Sequence, residues 1–169
     1  MMKKLHEKET EGSRFLIKPA EELENVVSVA AILTPYYGLT LKHARDHKWK
    51  GKEAPIKRLA KGLCLGLNHM HDTGIAHRDI KPDNILLQNI EGDPVIIDFG
   101  LSNANGIRDG TTKYLAPEQK RGAKGKLKGT EWWVVHGWDQ RLFDSWALGC
   151  VLKRCFEGHD TPTTAQDFI

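Results

Sequence analysis

One eight-residue stretch, His77-Arg78-Asp79-Ile80-Lys81-Pro82-Asp83-Asn84, constrains this chain more than any other. It lies between two regular patterns. Upstream, Ile56, Leu59, Leu63, Leu67 and Met70 recur at three- and four-residue steps, which predicts one apolar face of a helix. Pro55 suits the first turn of that helix, and Gly74 suits its C-terminal cap. Downstream, Ile85-Leu86-Leu87 and Val95-Ile96-Ile97 read as two short strands, and Gln88 to Pro94 reads as their turn. The stretch is therefore a loop between a helix and a hairpin. Asp98-Phe99-Gly100 begins fourteen residues after Asn84. Such a hairpin places Asn84 at the start of one strand and Asp98 at the end of the other, so that both can face one metal.

These residue types suit phosphoryl transfer, which needs positioning and charge neutralisation more than covalent help. A carboxylate must meet the incoming hydroxyl and take its proton, and Asp79 carries the right group. Asn84 and Asp98 offer hard oxygen ligands suited to magnesium. Two further segments follow in order: Gly110-Thr111-Thr112-Lys113-Tyr114-Leu115-Ala116-Pro117-Glu118 and Asp144-Ser145-Trp146-Ala147-Leu148-Gly149. Together the four segments resemble the catalytic loop, metal loop, end of the activation segment and central lower-lobe helix of a eukaryotic-type protein kinase.

The resemblance implies an α+β, protein-kinase-like fold: a mostly helical lower lobe with a short β-hairpin, and an incomplete β-rich upper lobe. It implies ATP and Mg2+ as cofactors and a protein Ser or Thr hydroxyl as acceptor. Asp79 is then the base and Asn84 and Asp98 the metal ligands. Lys81 contacts the transferring phosphate, a feature of the serine/threonine type that tyrosine kinases usually lack. Tyr36 and Leu86 join Asn84 and Asp98 at the nucleotide. Thr111 hydrogen-bonds Asp79 and Lys81 and shapes the substrate site. His77, Arg78, Phe99, Glu118 and Asp144 are supports, with Asp144 tied to the catalytic-loop backbone. Arg78 would pair with a phosphate on the activation segment. Ser102 is the only hydroxyl between Gly100 and Gly110, and Asp109 is either a permanent charge for Arg78 or a solvated loop residue.

The rest of the chain is read around this centre. Residues 1–14 are a polar tail or helix remnant. Residues 15–38 hold upper-lobe strands at Phe15-Leu16-Ile17 and Val26 to Leu33, joined by a polar connection from Ala20 to Asn25, then a hinge at Thr34-Pro35-Tyr36-Tyr37-Gly38. Residues 39–169 are a truncated lower lobe, with a short helix over Leu39 to His47, a basic loop over Lys48 to Lys52 and a buried helix over Asp144 to Phe156. Five cations and no acid lie between Lys120 and Gly129, which reads as a solvated loop or as attraction for acidic substrates or nucleic acid. Trp132, Trp133 and Trp138 pack on the lobe or stack bases.

Composition excludes little but narrows the class. A chain of 169 residues can bury one core, and a net charge of +3 is too small to argue for nucleic acid. No apolar run is long enough for a membrane span, and the N-terminus has no signal-peptide core, which points to an intracellular protein. Cys64, Cys150 and Cys155 fall in apolar helical stretches and read as reduced core residues. His69 and His71 are two apart on a helix and so do not share a face for metal.

The sequence contains no G-x-G-x-x-G, and no Val-Ala-Ile-Lys strand in the place the family has one. The resemblance covers roughly residues 24–156. The expected activity is a serine/threonine protein kinase in partial form. The alternative is a pseudokinase-like module that keeps the lobe to bind a regulatory or other protein partner.

Overall fold

The computed structural model describes residues 9–18, 21–22, 32–48, 53–89, 92–102, 110–117, 119–120 and 139–157. In chain order the elements are β1 (Glu21–Glu22), β2 (Ile32–Leu33), β3 (Leu39–Thr40), α1 (Leu41–Lys48), α2 (Glu53–Asp72), β4 (Ile85–Leu87), β5 (Pro94–Ile96) and α3 (Gln140–Glu157), with single 3-10 turns at Ser13–Phe15, Pro82–Asn84 and Thr112–Tyr114.

Helix α2 organises the rest. Its five periodic apolar side chains are at most 4% exposed. Pro55 sits in the first turn, where its missing amide hydrogen costs nothing. The helix ends in a Schellman arrangement: Ile75 N donates to Met70 O at 3.0 Å and Gly74 N to His71 O at 2.9 Å. That motif needs a left-handed residue, and Gly74 takes φ +75°.

Three strands form an antiparallel sheet in the order β3-β4-β5. Leu39 faces Leu87, while Leu86 lies between Thr40 and Val95. Ile85 and Leu87 are fully buried and Leu86 is half-buried on the opposite side, as the two-residue period of a strand requires. Helix α3 and the Ser13–Phe15 turn pack on α2, and apolar residues of α3, with Leu16 and Ile17 just after the turn, share one core with the sheet.

The α+β class therefore holds, with corrections to several elements. Phe15-Leu16-Ile17 is not a strand of an upper sheet. Phe15 closes a 3-10 turn, Leu16 makes a parallel bridge to Ile96, and Ile17 N donates to Ile96 O at 2.9 Å. All three side chains are buried, which a strand with one exposed face cannot achieve. Gly12 lets this turn approach α2: a Cβ there would overlap the carbonyl oxygen of Leu65. Glu21 and Glu22, read as part of a polar connection, pair with Leu33 and Ile32. Of the strand expected over Val26 to Leu33, Ile32–Leu33 falls within the described residues. Leu39 and Thr40 are strand, so α1 starts two residues later than expected, and it includes Lys48. Helix α3 begins four residues before Asp144. Cys64 is exposed, in contrast to buried Cys150 and Cys155. It follows Leu63 by one residue, about 100° around the helix from the buried face.

Candidate active site

The site forms where the C-terminus of α2, the hairpin and α3 converge. Asp144 on α3 is 1% exposed and anchors the loop from below. Its Oδ2 accepts His77 N at 2.8 Å and its Oδ1 accepts Arg78 N at 2.7 Å. The same Oδ2 lies 2.8 Å from His71 Nε2. Arg78 holds a left-handed φ of +74°, an unfavourable conformation for a side chain with a Cβ. The two amides fixed by Asp144 lead into that residue, the second being its own. His71 was missed as a support in the sequence. The signal was there: it follows Leu67 by four residues, one turn further along the buried face.

His77 is fully buried, with its ring edge-on to Phe99 at 5.6 Å between centroids. Its Nε2 is 2.9 Å from Ile97 O and must carry the proton, because a carbonyl only accepts. Nδ1 is then free to accept Asp79 N–H at 3.3 Å. Burial pushes the imidazole pKa down, outweighing the opposing pull of Asp144, the Ile97 carbonyl, Asp79 and Asp98. His77 is thus a neutral pillar between the loop and the strand that leads to Asp98. Ser102, also buried, donates to His77 O at 3.1 Å. Arg78 Nη1 donates to Leu101 O at 3.0 Å. Glu118 and Asp109 lie outside the described residues, as do residues 121–138, which include the rest of the basic run and all three of Trp132, Trp133 and Trp138.

The Asp79 carboxylate gathers the other polar groups. Thr111 donates to Oδ1 from both its backbone N and its hydroxyl, each at 2.9 Å. Lys81 Nζ reaches Oδ2 at 2.5 Å and Thr111 Oγ1 at 3.0 Å. Asn84 Nδ2 donates to Asp79 O at 2.9 Å and to Oδ2 at 3.1 Å. Burial raises the Asp79 pKa, but the bonds from Lys81 and Thr111 and the Lys81 charge outweigh it, so the net shift is downward. Asp79 is a carboxylate at neutral pH.

Because Asn84 spends its amide nitrogen on Asp79, its oxygen is the donor left for a cation. Asp98 is exposed, takes a left-handed φ of +64° and accepts Gly100 N at 3.3 Å on Oδ1. Among the described residues no lysine or arginine neutralises it. An amide oxygen and a carboxylate are both hard oxygen donors. Among the described residues, no group of three or more His, Cys, Asp or Glu is arranged to hold a metal. His69 instead meets Thr10 Oγ1 at 2.9 Å. Leu86 lies on the open side of the hairpin. The Tyr36 ring is 91% exposed, while Tyr37 packs against the core.

A family model described as the protein kinase domain matches residues 10–167. This chain belongs to the protein kinase family. Its kinase segment is 32% identical to the serine/threonine-protein kinase RAD53 of Saccharomyces cerevisiae, over 61% of this chain and 13% of that protein. It is 43% identical to the serine/threonine-protein kinase AtPK2/AtPK19 of Arabidopsis thaliana, over 43% of this chain and 16% of the relative. Serine/threonine-protein kinase C of Synechocystis is 36% identical over 50% of this chain and 18% of its own length. The chain thus spans less than a fifth of each of these relatives. No helix among the described residues is long and apolar enough to cross a membrane.

Proposed function

We propose that this chain transfers the γ-phosphoryl group of ATP to a Ser or Thr hydroxyl of a protein, through the site centred on Asp79. The observation that carries the reading is the convergence of Lys81 and Thr111 on the Asp79 carboxylate. A base must be ionised and oriented before it can accept a proton from an incoming hydroxyl. Its lowered pKa keeps Asp79 ionised, and the Thr111 bonds hold its rotamer. Lys81 sits where one ammonium can leave the carboxylate for a phosphate oxygen. Asn84 and Asp98 are the residues that would hold magnesium, which when bound neutralises charge on the nucleotide phosphates. Two protein ligands leave most of the coordination shell to phosphates and water, as is usual for this ion.

Sequence supports a second reading. The chain has no G-x-G-x-x-G to cover phosphates, so a non-catalytic binding module is the competitor. Two measurements separate them. Ligand that binds the folded state raises the melting temperature by mass action. The expected result is a magnesium-dependent rise with ATP that Asp98→Asn loses. In a phosphotransfer assay, Asp79→Asn is expected to lose about 10²–10⁴ of the rate, the usual share of a general base. A cooperative melt unmoved by ATP and magnesium, with no phosphate transferred, would establish the binding module instead.

A further inference from the structure

Deepening that reading, and resting on it for the place where the acceptor lies, we infer that Arg154 makes this site select substrates with an anionic side chain beside the acceptor hydroxyl. Arg154 lies on α3, half-buried, with Nη1 3.4 Å from the phenol oxygen of Tyr114. Tyr114 and Asp79 line the same small cavity, together with Thr111, Leu115 and Phe143. The segment is short and tightly connected. Tyr114 N donates to Thr111 O at 2.8 Å, and the Thr111 hydroxyl reaches Asp79. A guanidinium is thereby placed one side chain away from the threonine that touches the base.

A guanidinium has five N–H donors, and the long contact to Tyr114 is the one interaction described for Arg154. No carboxylate among the described residues pairs with it. Lys113 is exposed on the same turn, and Lys120 is half-buried just beyond it. Burial pushes the Cys150 thiol up to about 11, and the charges of Lys120 and Lys153 oppose that rise, so Lys120 lies beside α3, which carries Lys153. Two acids of the catalytic loop are already engaged. Asp79 holds Lys81, and Asp83 on the same loop is 3.0 Å from Lys42 Nζ. An extended substrate crossing this edge meets the Arg154 guanidinium, which no carboxylate among the described residues neutralises. A half-buried guanidinium interacts with an anion more strongly than a fully solvated one does. The anion is a carboxylate or a phosphorylated side chain, since both suit the planar guanidinium fork.

Binding tests this without requiring turnover. Three fluorescent peptides share one Ser acceptor flanked by Glu, by phosphoserine or by Lys. Anisotropy is read on the full chain and on Arg154→Gln, Arg154→Glu and Tyr114→Phe, each checked for a cooperative melt. The anionic peptides are expected to bind roughly tenfold tighter than the Lys peptide, and the gap should shrink as salt rises. Arg154→Gln should bring the ratio near one, and Arg154→Glu should reverse it. Tyr114→Phe should keep the preference, because it removes the phenol and leaves the guanidinium. Equal binding of Glu and phosphoserine peptides assigns the anion as a carboxylate; a clear phosphoserine advantage assigns a prior phosphorylation. A ratio near one in the unmodified chain overturns the inference, as does a preference untouched by both Arg154 changes. Should neither Arg154 variant fold, a preference of the unmodified chain that does not weaken at all as NaCl is raised to about 0.5 M overturns it too, because even a half-buried ion pair is partly screened. Transfer to the bound peptide is scored separately. An acidic peptide that binds but is never phosphorylated defeats the kinase reading and leaves this inference standing.

Discussion

Two segments dock on opposite parts of α2 by different physics. The catalytic loop sits over its C-terminus and is held by few, directional bonds: two backbone amides and His71 on Asp144, and Lys81, Asn84 and Thr111 on Asp79. The turn around Phe15 sits on its middle and is held by volume. Phe15 and Leu16 close against Gly66, and Phe15 and Pro94 crowd Gly62. A bonded region concentrates its energy in single acceptors, whose loss strands buried donors. A packed region spreads it over many small contacts, and what it cannot absorb is added bulk.

The largest expected effect follows from the bonded side. Asp144→Ala leaves the His77 and Arg78 amides without their acceptor and should cost about 3 kcal/mol or more, at ~1–3 kcal/mol for each stranded buried group. Denaturant melts read the loss, and hydrogen exchange should report it first at His77 and Arg78. A loss below ~1 kcal/mol would mean that water or a shifted loop replaces the carboxylate, and the contrast between the two regions would fail. On the packed side, Gly12→Ala should destabilise by about 1–3 kcal/mol, the usual cost of overpacking. Here the obstacle is the Leu65 backbone, which cannot turn away as a side chain can. Hydrogen exchange should rise at Leu16 and Ile17 while the amides of His77 and Arg78 keep their protection; loss of protection at both would merge the two regions into one cooperative unit.

The smallest effect is a pH slope. His77 is held neutral, with its pKa below the ordinary 6.5. Once the pH falls below about 6.5 the unfolded chain takes up a proton there that the folded chain refuses, so stability declines toward the folded pKa, by at most about 1.4 kcal/mol per pH unit. Urea melts between pH 7.5 and 5 should show that decline, and His77→Gln should flatten it. An unchanged slope in the variant would assign it to other histidines.

The bonded region was the more legible in sequence, and the contrast explains why. Directional bonds need particular residue types at particular spacings, so the resemblance to protein-kinase motifs could single out Asp79, Lys81, Asn84, Thr111 and Asp144 by their letters. Gly74 stands out for the same reason, since one backbone geometry demands it. Packing is tolerant of identity, and Phe15-Leu16-Ile17 is as good a strand by composition as it is a buried turn. What decides it is the groove offered by glycines fifty residues away. Tyr36 and Tyr37 show the same limit: adjacent, identical and differently placed, one in solvent and one packed against the core. His71 was legible in principle, but its partner lies 73 residues further along the chain, and no local pattern names it.

Helix α3 carries Asp144 near one end and Arg154 near the other. Ten residues of helix are about 15 Å, the reach of four to five residues of extended chain. A helix resists compression along its axis, so this interval is a ruler. The carboxylate that sets the catalytic loop and the guanidinium beside Tyr114 are marks on one rod. Thermal motion can rock the rod, but it leaves their separation nearly fixed. The spacing between the anchor of the catalytic loop and Arg154 is thereby written into the chain as a count of helical turns.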